Sequence, residues 1–360
     1  MRFRGVRRSL AFAVLAWSAT ALPALADTTS VEGTNAPIVR VQLATQANLT
    51  IRTWDRESVQ IEGDLSTVSL DRTSSYVPSN FPPTLIRMAR AVGPDGPIVL
   101  PAESFVVSSL PTGDRDVVHV GLKGKRAPGS LTITIPSDTS VVIANVDRGS
   151  INLRDYRAGT FILHVHTGQV SLQNVGGDGF VQVLRGPIQA SDSNFNRLRI
   201  RSAVGNQVFE RCRARQIEAS NVNGWIVYDA GTFEPGLARF DSSHGNVAVG
   251  VSSGAQLAAR VGSSGHVYTL FDHTTQVDGR DGEANATFGG GGPLVNATSA
   301  TGNVYLYDGG LAARRKVPAE WRPAVVALHG DAQPVFQIDR RSDSARPVPT
   351  YLPEPPRRRH

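Results

Sequence analysis

Hydrophobic and polar positions alternate along most of this chain in short runs, and the runs recur. The recurring phrase is glycine-x-apolar-x-apolar, as in Gly149-Ser-Ile151-Asn-Leu153, Gly168-Gln-Val170-Ser-Leu172 and Gly245-Asn-Val247-Ala-Val249. Alternation of period two places residues two apart on one face of a strand. Ile151/Leu153, Val170/Leu172, Ile188/Ala190, Ile226/Tyr228, Val247/Val249 and Val304/Leu306 therefore point inward. A second inward pair precedes each following glycine: Val142/Ala144, Phe161/Leu163, Leu198/Ile200, Ile217/Ala219 and Ala238/Phe240.

The leading glycines stand at 129, 149, 168, 186, 205, 224, 245, 265, 282 and 302. A period near 20 residues is the mark of a repeat architecture. The pattern predicts an all-β, single-stranded, right-handed β-solenoid (β-helix) with rungs of about 19 residues and two short strands per rung. Glycine takes one corner, where positive φ or a close approach is needed. Asp155, Asn174, Asp192 and Asp229 fall at the other, as turn chemistry favours. After Gly205 come Asn206 and Gln207, so Val208 arrives one place late and a bulge is expected. The rung opening at Gly282 puts Ala284 and Ala286 inside before the run Gly289 to Gly292, which predicts a pinched or loosely ordered rung near one end.

The organisation follows from where this pattern starts and stops. Residues 1–26 read as a signal peptide: Arg2, Arg4, Arg7 and Arg8, then an apolar run, then Ala24-Leu25-Ala26. Arg7-Arg8 leaves both the general secretory and the twin-arginine route open. Residues 27–65 read as N-terminal strands that start the solenoid. Residues 66–128 read as a proline-rich insertion and junction, with a short helix at Leu85 to Val92. The repeats fill 129–310, and 311–345 form a C-terminal cap with closing strands at Val325 to Leu328 and Val335 to Ile338. A disordered basic tail occupies 346–360.

Charge changes the picture little. The formal charge of +6 falls to +2 without the four arginines of the leader, and Arg357, Arg358 and Arg359 supply three of the remaining positive charges. This gives no case for nucleic-acid binding. No run in the mature chain is long and apolar enough to span a bilayer. Cys212 is the single cysteine, so no intrachain disulfide forms; its alternating neighbours Arg211 and Arg213 leave it pointing inward as an inert thiol.

One stretch resembles a known group. Ala47-Asn-Leu-Thr-Ile-Arg-Thr-Trp-Asp-Arg-Glu-Ser-Val-Gln-Ile-Glu-Gly63 is similar to the opening of the bacterial putative-adhesin family of unknown function, with its strand, Trp-Asp corner and second strand. Leu131-Thr-Ile-Thr-Ile-Pro136-Ser-Asp-Thr-Ser140 resembles the same family's strand into a proline and small polar turn. The resemblance covers about 36–65 and 129–310 and implies an exported right-handed β-solenoid, with no binding residues to transfer.

Candidate chemistry is sparse. Arg197, Arg199 and Arg201 alternate with Leu198 and Ile200 and face outward; Arg211, Arg213 and Arg215 do the same one rung later. Six guanidiniums on adjacent rungs would suit a phosphate- or carboxylate-bearing polymer. The alternative is a solvated face relieved by Glu210, Glu218 and Asp192. The Asp155/Asn174/Asp192/Asp229 column lacks the dense glycine-aspartate pattern of calcium repeats and reads as turn capping. His164 and His166 share an outward face without a third metal ligand and read as surface residues.

No catalytic residue, metal or cofactor is expected, and no nucleophile-elbow pattern appears. The function expected is an exported, non-enzymatic β-solenoid, periplasmic, cell-surface or extracellular. It would present a surface for adhesion or envelope interaction to a cell-surface polymer or another envelope protein. The alternatives are a carbohydrate-active β-helix enzyme of lyase or hydrolase type, and a purely structural envelope component.

Overall fold

The computed structural model describes residues 27–32, 37–73, 90–93, 96–99, 116–123, 128–157, 159–252, 256–263, 265, 267–270, 274–280, 283–288 and 291–308. The expected signal peptide, the closing strands, the basic tail and most of the proline-rich stretch lie outside them. Residues 90–93, placed at the end of the expected short helix, are strand instead.

The described chain is all-β, apart from a 3₁₀ turn at Leu65–Thr67. It opens with β1 (Asp27–Glu32), β2 (Ile38–Trp54), β3 (Ser58–Gly63) and β4 (Val68–Thr73). β5 (Arg90–Gly93) and β6 (Gly96–Val99) form a separate antiparallel pair. β7 (Val117–Leu122), β8 (Gly129–Pro136), β9 (Val141–Arg154) and β10 (Thr160–Gln173) follow. Next come β11 (Gly176–Arg185), β12 (Ile188–Ser191), β13 (Asn194–Val204), β14 (Gln207–Glu210), β15 (Arg213–Asn223) and β16 (Ile226–Phe233). The last are β17 (Leu237–His244), β18 (Val247–Val251), β19 (Leu257–Ser263), β20 (Val267–Leu270), β21 (Thr274–Arg280), β22 (Glu283–Phe288), β23 (Leu294–Ser299) and β24 (Val304–Asp308).

Seven of these strands close a parallel barrel. β10 pairs with β11, β11 with β13, β13 with β15 and β15 with β16. β16 pairs with β14, β14 with β12, and β12 returns to β10. The ring closes because β10 bends: its first half pairs with β11 and its second half with β12. Further strands extend this barrel at both ends.

The single-stranded β-solenoid with two short strands per rung is therefore overturned. Three observations decide it. Gly149 and Gly168 do not separate strands but sit inside β9 and β10, at φ +122° and +145°, so two expected short strands merge into one of 14 residues. The ladder closes on itself through Arg213 opposite Thr232 and Ala214 opposite Phe233. The strands also do not stack in chain order: β17 pairs with β23, and β23 in turn with β19. Antiparallel pairs complete the departure, with β3 on β8, β4 on β7, and β22 between β19 and β21. The expected pinched rung is this hairpin: Ala286 is buried as read, but its strand runs against its neighbours.

The core is where alternation placed it. Phe161, Leu198, Ile217, Ala238 and Val295 are buried, as are Leu163, Val181, Ile200, Ala219, Phe240 and Ala297 in the neighbouring column. Burying each large aliphatic or aromatic side chain contributes roughly 1.5–3 kcal/mol. Gln207 interrupts the opposite column without the expected bulge. The register of β12 with β14 is continuous, and Gln207 itself points inward, fully buried. Its Nε2 donates to Ser202 Oγ and to the Ser220 carbonyl, both at 2.7 Å, while its buried Oε1 has no hydrogen-bond partner among the described residues.

Buried tyrosines fasten the corners. The Tyr228 hydroxyl lies 2.7 Å from the Cys212 carbonyl oxygen and 2.9 Å from that of Thr232. Tyr156 does the same with Thr139 and Thr160 at 3.0 and 3.1 Å. Burial raises the pKa of both phenols, so they stay protonated donors.

Candidate functional site

The outward face of β11, β13, β15, β17, β23 and β19 carries polar side chains in register. Phe180, Arg199, Glu218, Arg239, Asn296 and Arg260 form one row across it. Gln182, Arg201, Ser220, Asp241, Thr298 and Gly262 form the next row, two residues along each strand.

The six arginines singled out from the sequence do not form one patch. Arg197, Arg199 and Arg201 line β13 as expected, but the strand beside them offers Gln216, Glu218 and Ser220. Arg213 and Arg215 stand at the start of β15, where Arg213 faces Asn194, three residues ahead of Arg197. Arg211 is a corner residue at φ +50°.

Carboxylates hold most of the six. Arg197 Nη2 lies 2.6 Å from Asp178 Oδ2, Arg199 Nη2 2.9 Å from Glu218 Oε2, and Arg213 Nε 2.7 Å from Glu234 Oε1. Arg211 reaches Asp192 at 2.7 Å. Burial pushes the Asp178 carboxyl up, but hydrogen bonds from Arg197 and Asn196 outweigh it and hold the group below the usual range. Arg215 makes no ion pair among the described residues, and Arg201 is engaged in an interaction of its own.

The corner column differs from the sequence reading at two places: Arg211 joins it, and Ala230 takes the place expected for Asp229. Asp155, Asn174, Asp192, Arg211 and Ala230 occupy it, all near φ +50 to +58°. Asp229 lies just outside, where it accepts a hydrogen bond from the Tyr307 hydroxyl. Asn174 Nδ2 donates to Asp155 Oδ1 at 2.6 Å, linking neighbouring corners of the column.

The histidines also correct the sequence. His164 is 2% exposed rather than a surface residue, and its Nδ1 has no hydrogen-bond partner among the described residues. Burial, helped by His166, pushes its pKa down to about 4. His166 remains partly exposed, 3.9 Å from Asp147. Cys212 is buried as expected, and burial pushes its thiol up to about 11.

A concavity of about 280 Å³ lies further along the same face, lined by Leu237, Arg239, Asp241, Arg260, Asn296 and Thr298, together with Val261 and Gly262. Arg239 and Arg260 flank Asn296 on adjacent strands. Parallel strands lie about 4.8 Å apart, so the two arginine Cα atoms are roughly 10 Å apart. Asp241 accepts from Arg239 and from Thr298 Oγ1. Leu237, which lines it, and Leu237's register partner Leu294 are the exposed large apolar side chains of the described residues.

Sequence reasoning missed this group. Ala238 and Phe240 were read as inward, so Arg239 was legible as outward. That Arg239 meets Asn296 and Arg260 was not, because 57 residues separate the first pair and the intervening hairpin breaks chain order.

The comparisons add little. No protein-family model matches the chain, and no curated protein matches its sequence. Among solved structures, it is similar to one described as a "putative cell adhesion protein" from Clostridium sporogenes ATCC 15579. Identity is 8%, the TM-score is 0.25, and the match covers 79% of this chain and 98% of that one. So loose a superposition carries no argument about fold or function. The family resemblance rests on the residues quoted for it. There the Trp-Asp corner is well made: Trp54 Nε1 donates to the Ser58 carbonyl at 2.7 Å, and Arg56 sits over the indole at 5.0 Å. No helix of the described residues is long and apolar enough to cross a membrane. Among the described residues no three His, Cys, Asp or Glu side chains gather as a metal site would need.

Proposed function

We propose that the protein is exported and acts without catalysis, presenting its outward β face to a cell-surface polymer or to another envelope protein. The observation that carries this reading is the in-register polar face on β11, β13, β15, β17, β23 and β19. Its side chains are fixed two residues apart along each strand and one strand apart across them. A buried core behind the face holds that spacing rigid, which favours repeated contact with an extended partner over closure around a small molecule. The leader-like composition of residues 1–26 supports export.

A glycan and lipid array tests it, with the mature protein and an Arg199→Ala/Arg213→Ala double variant. Retention of the wild type on at least one envelope polymer, weakened by salt, is expected. Shortening of that polymer during incubation, or retention on none, contradicts the reading.

A further inference from the structure

We propose that the interior corner between β13 and β14 is a binding site for a single water molecule, held by Gln207, Asn221 and Ser202.

Chemistry fixes how the two amides are turned. Gln207 Nε2 faces Ser202 Oγ and the Ser220 carbonyl oxygen, both at 2.7 Å, and Asn221 Nδ2 faces the Gly205 carbonyl oxygen at 2.6 Å. A carbonyl oxygen only accepts, so each amide must offer it nitrogen. Turning either amide over would set oxygen against oxygen. The far side of each amide is therefore an acceptor. Neither Gln207 Oε1 nor Asn221 Oδ1 meets a donor among the described residues. Gln207 is fully buried and Asn221 is 4% exposed. A buried acceptor without a donor is costly, and protein interiors rarely keep two in one corner.

Ser202 completes the set. It is fully buried, it is the register partner of Asn221, and its Oγ accepts the Gln207 amide. Its hydroxyl hydrogen meets no acceptor among the described residues. One water satisfies all three groups: it donates to Gln207 Oε1 and to Asn221 Oδ1, and accepts from Ser202. About three hydrogen bonds is the usual number for a buried water. A metal cation fits poorly. Hard cations gather about six or more oxygens, and here the amide N–H groups already occupy the Gly205 and Ser220 carbonyls.

The neighbouring corners show why the water belongs at this one. Three positions before Gly245 and Gly302 stand Ser242 and Ser299, whose hydroxyls donate to the carbonyls of Gly224 and Gly245 at 3.0 and 2.6 Å. Two positions after the same glycines stand Val247 and Val304, buried and without polar atoms. Those corners satisfy themselves. Around Gly205 the equivalent places hold Ser202 and Gln207, and Asn221 takes the first place before Gly224. Ser202 is also smaller than Val183, its register partner on β11, which opens space beside it. The water fastens β13 to β15 from behind, next to Arg201 and Ser220 of the outward face.

A crystal structure at a resolution that orders individual waters tests the site. The expected result is one fully occupied water about 2.5–3.0 Å from Gln207 Oε1, Asn221 Oδ1 and Ser202 Oγ. No density among these atoms, a protein donor on either amide oxygen, or a peak with the coordination number of a metal ion overturns the proposal. Oxygen-17 relaxation dispersion reads the same site in solution. Gln207→Val/Asn221→Ser copies the pattern around Gly245, and circular dichroism checks that it folds. The folded double variant should lose one long-lived water relative to the wild type, and an unchanged number overturns the site. Should the double variant fail to fold, the wild-type density decides alone.

Discussion

A Cβ built on Gly168 would lie 1.6 Å from the carbonyl oxygen of Gly149, its register partner in the neighbouring strand. Gly168 also sits at φ +145°, so any side chain meets both backbone strain and a backbone atom that cannot yield. Gly129 is the contrast: its φ is +69°, but nothing lies within 4 Å of the built Cβ.

Gly168→Ala should therefore destabilise the fold by at least about 3 kcal/mol, combining strain with overpacking. Gly129→Ala should cost only about 1 kcal/mol. Urea unfolding of both variants checks the difference; equal losses would mean that the close approach at Gly168 is not real.

The corner column predicts a gain. Ala230 adopts φ +51°, a conformation costly for a residue with a Cβ and without a side-chain hydrogen bond to offset it. Ala230→Gly should stabilise by about 1 kcal/mol, since the relief of strain exceeds the added unfolded-state entropy. A rise in urea midpoint at unchanged slope is the expected result, and a fall would place Ala230 outside the left-handed region.

His164 predicts a pH dependence. Its pKa falls to about 4 in the fold, from an ordinary 6.5, because burial disfavours the charged ring and His166 adds to this. The neighbouring strands oppose it with Asn145 and Gln182, neither of which bears charge. The unfolded chain takes up the proton first, so the contribution is complete above pH 6.5 and is lost as pH falls toward 4. The full loss is on the order of 3 kcal/mol at 1.36 kcal/mol per pH unit. Unfolding free energies at pH 7.5 and 4.5 should differ less in His164→Gln than in the wild type; equal differences contradict this account.

What was legible in the sequence was which face each residue occupies. Alternation correctly buried Phe161, Ile200, Phe240, Val249 and Cys212. It did not reveal which strand lies beside which, because period two is satisfied by any neighbour with an apolar inner face. Hence the even glycine spacing concealed the antiparallel β21–β22 hairpin and the pairing of β17 with β23. Gln207 and His164 were misread for a related reason: polarity argued for a bulge and for solvent, while tertiary packing buried both. The candidate site was legible only as an outward Arg239, since its other members arrive by strand order.

Strand order is thus the claim on which the site depends, and cross-linking tests it most directly. In a Cys212→Ala background, Asp241→Cys and Thr298→Cys occupy register partners on β17 and β23, within the Cα range that a disulfide spans. Mild oxidation should link this pair in high yield, while Asp241→Cys with Gly262→Cys, one strand further apart, should stay reduced. Linkage of the second pair with none of the first would show the strands stacked in chain order, and would take apart both the barrel's extension and the site built on it.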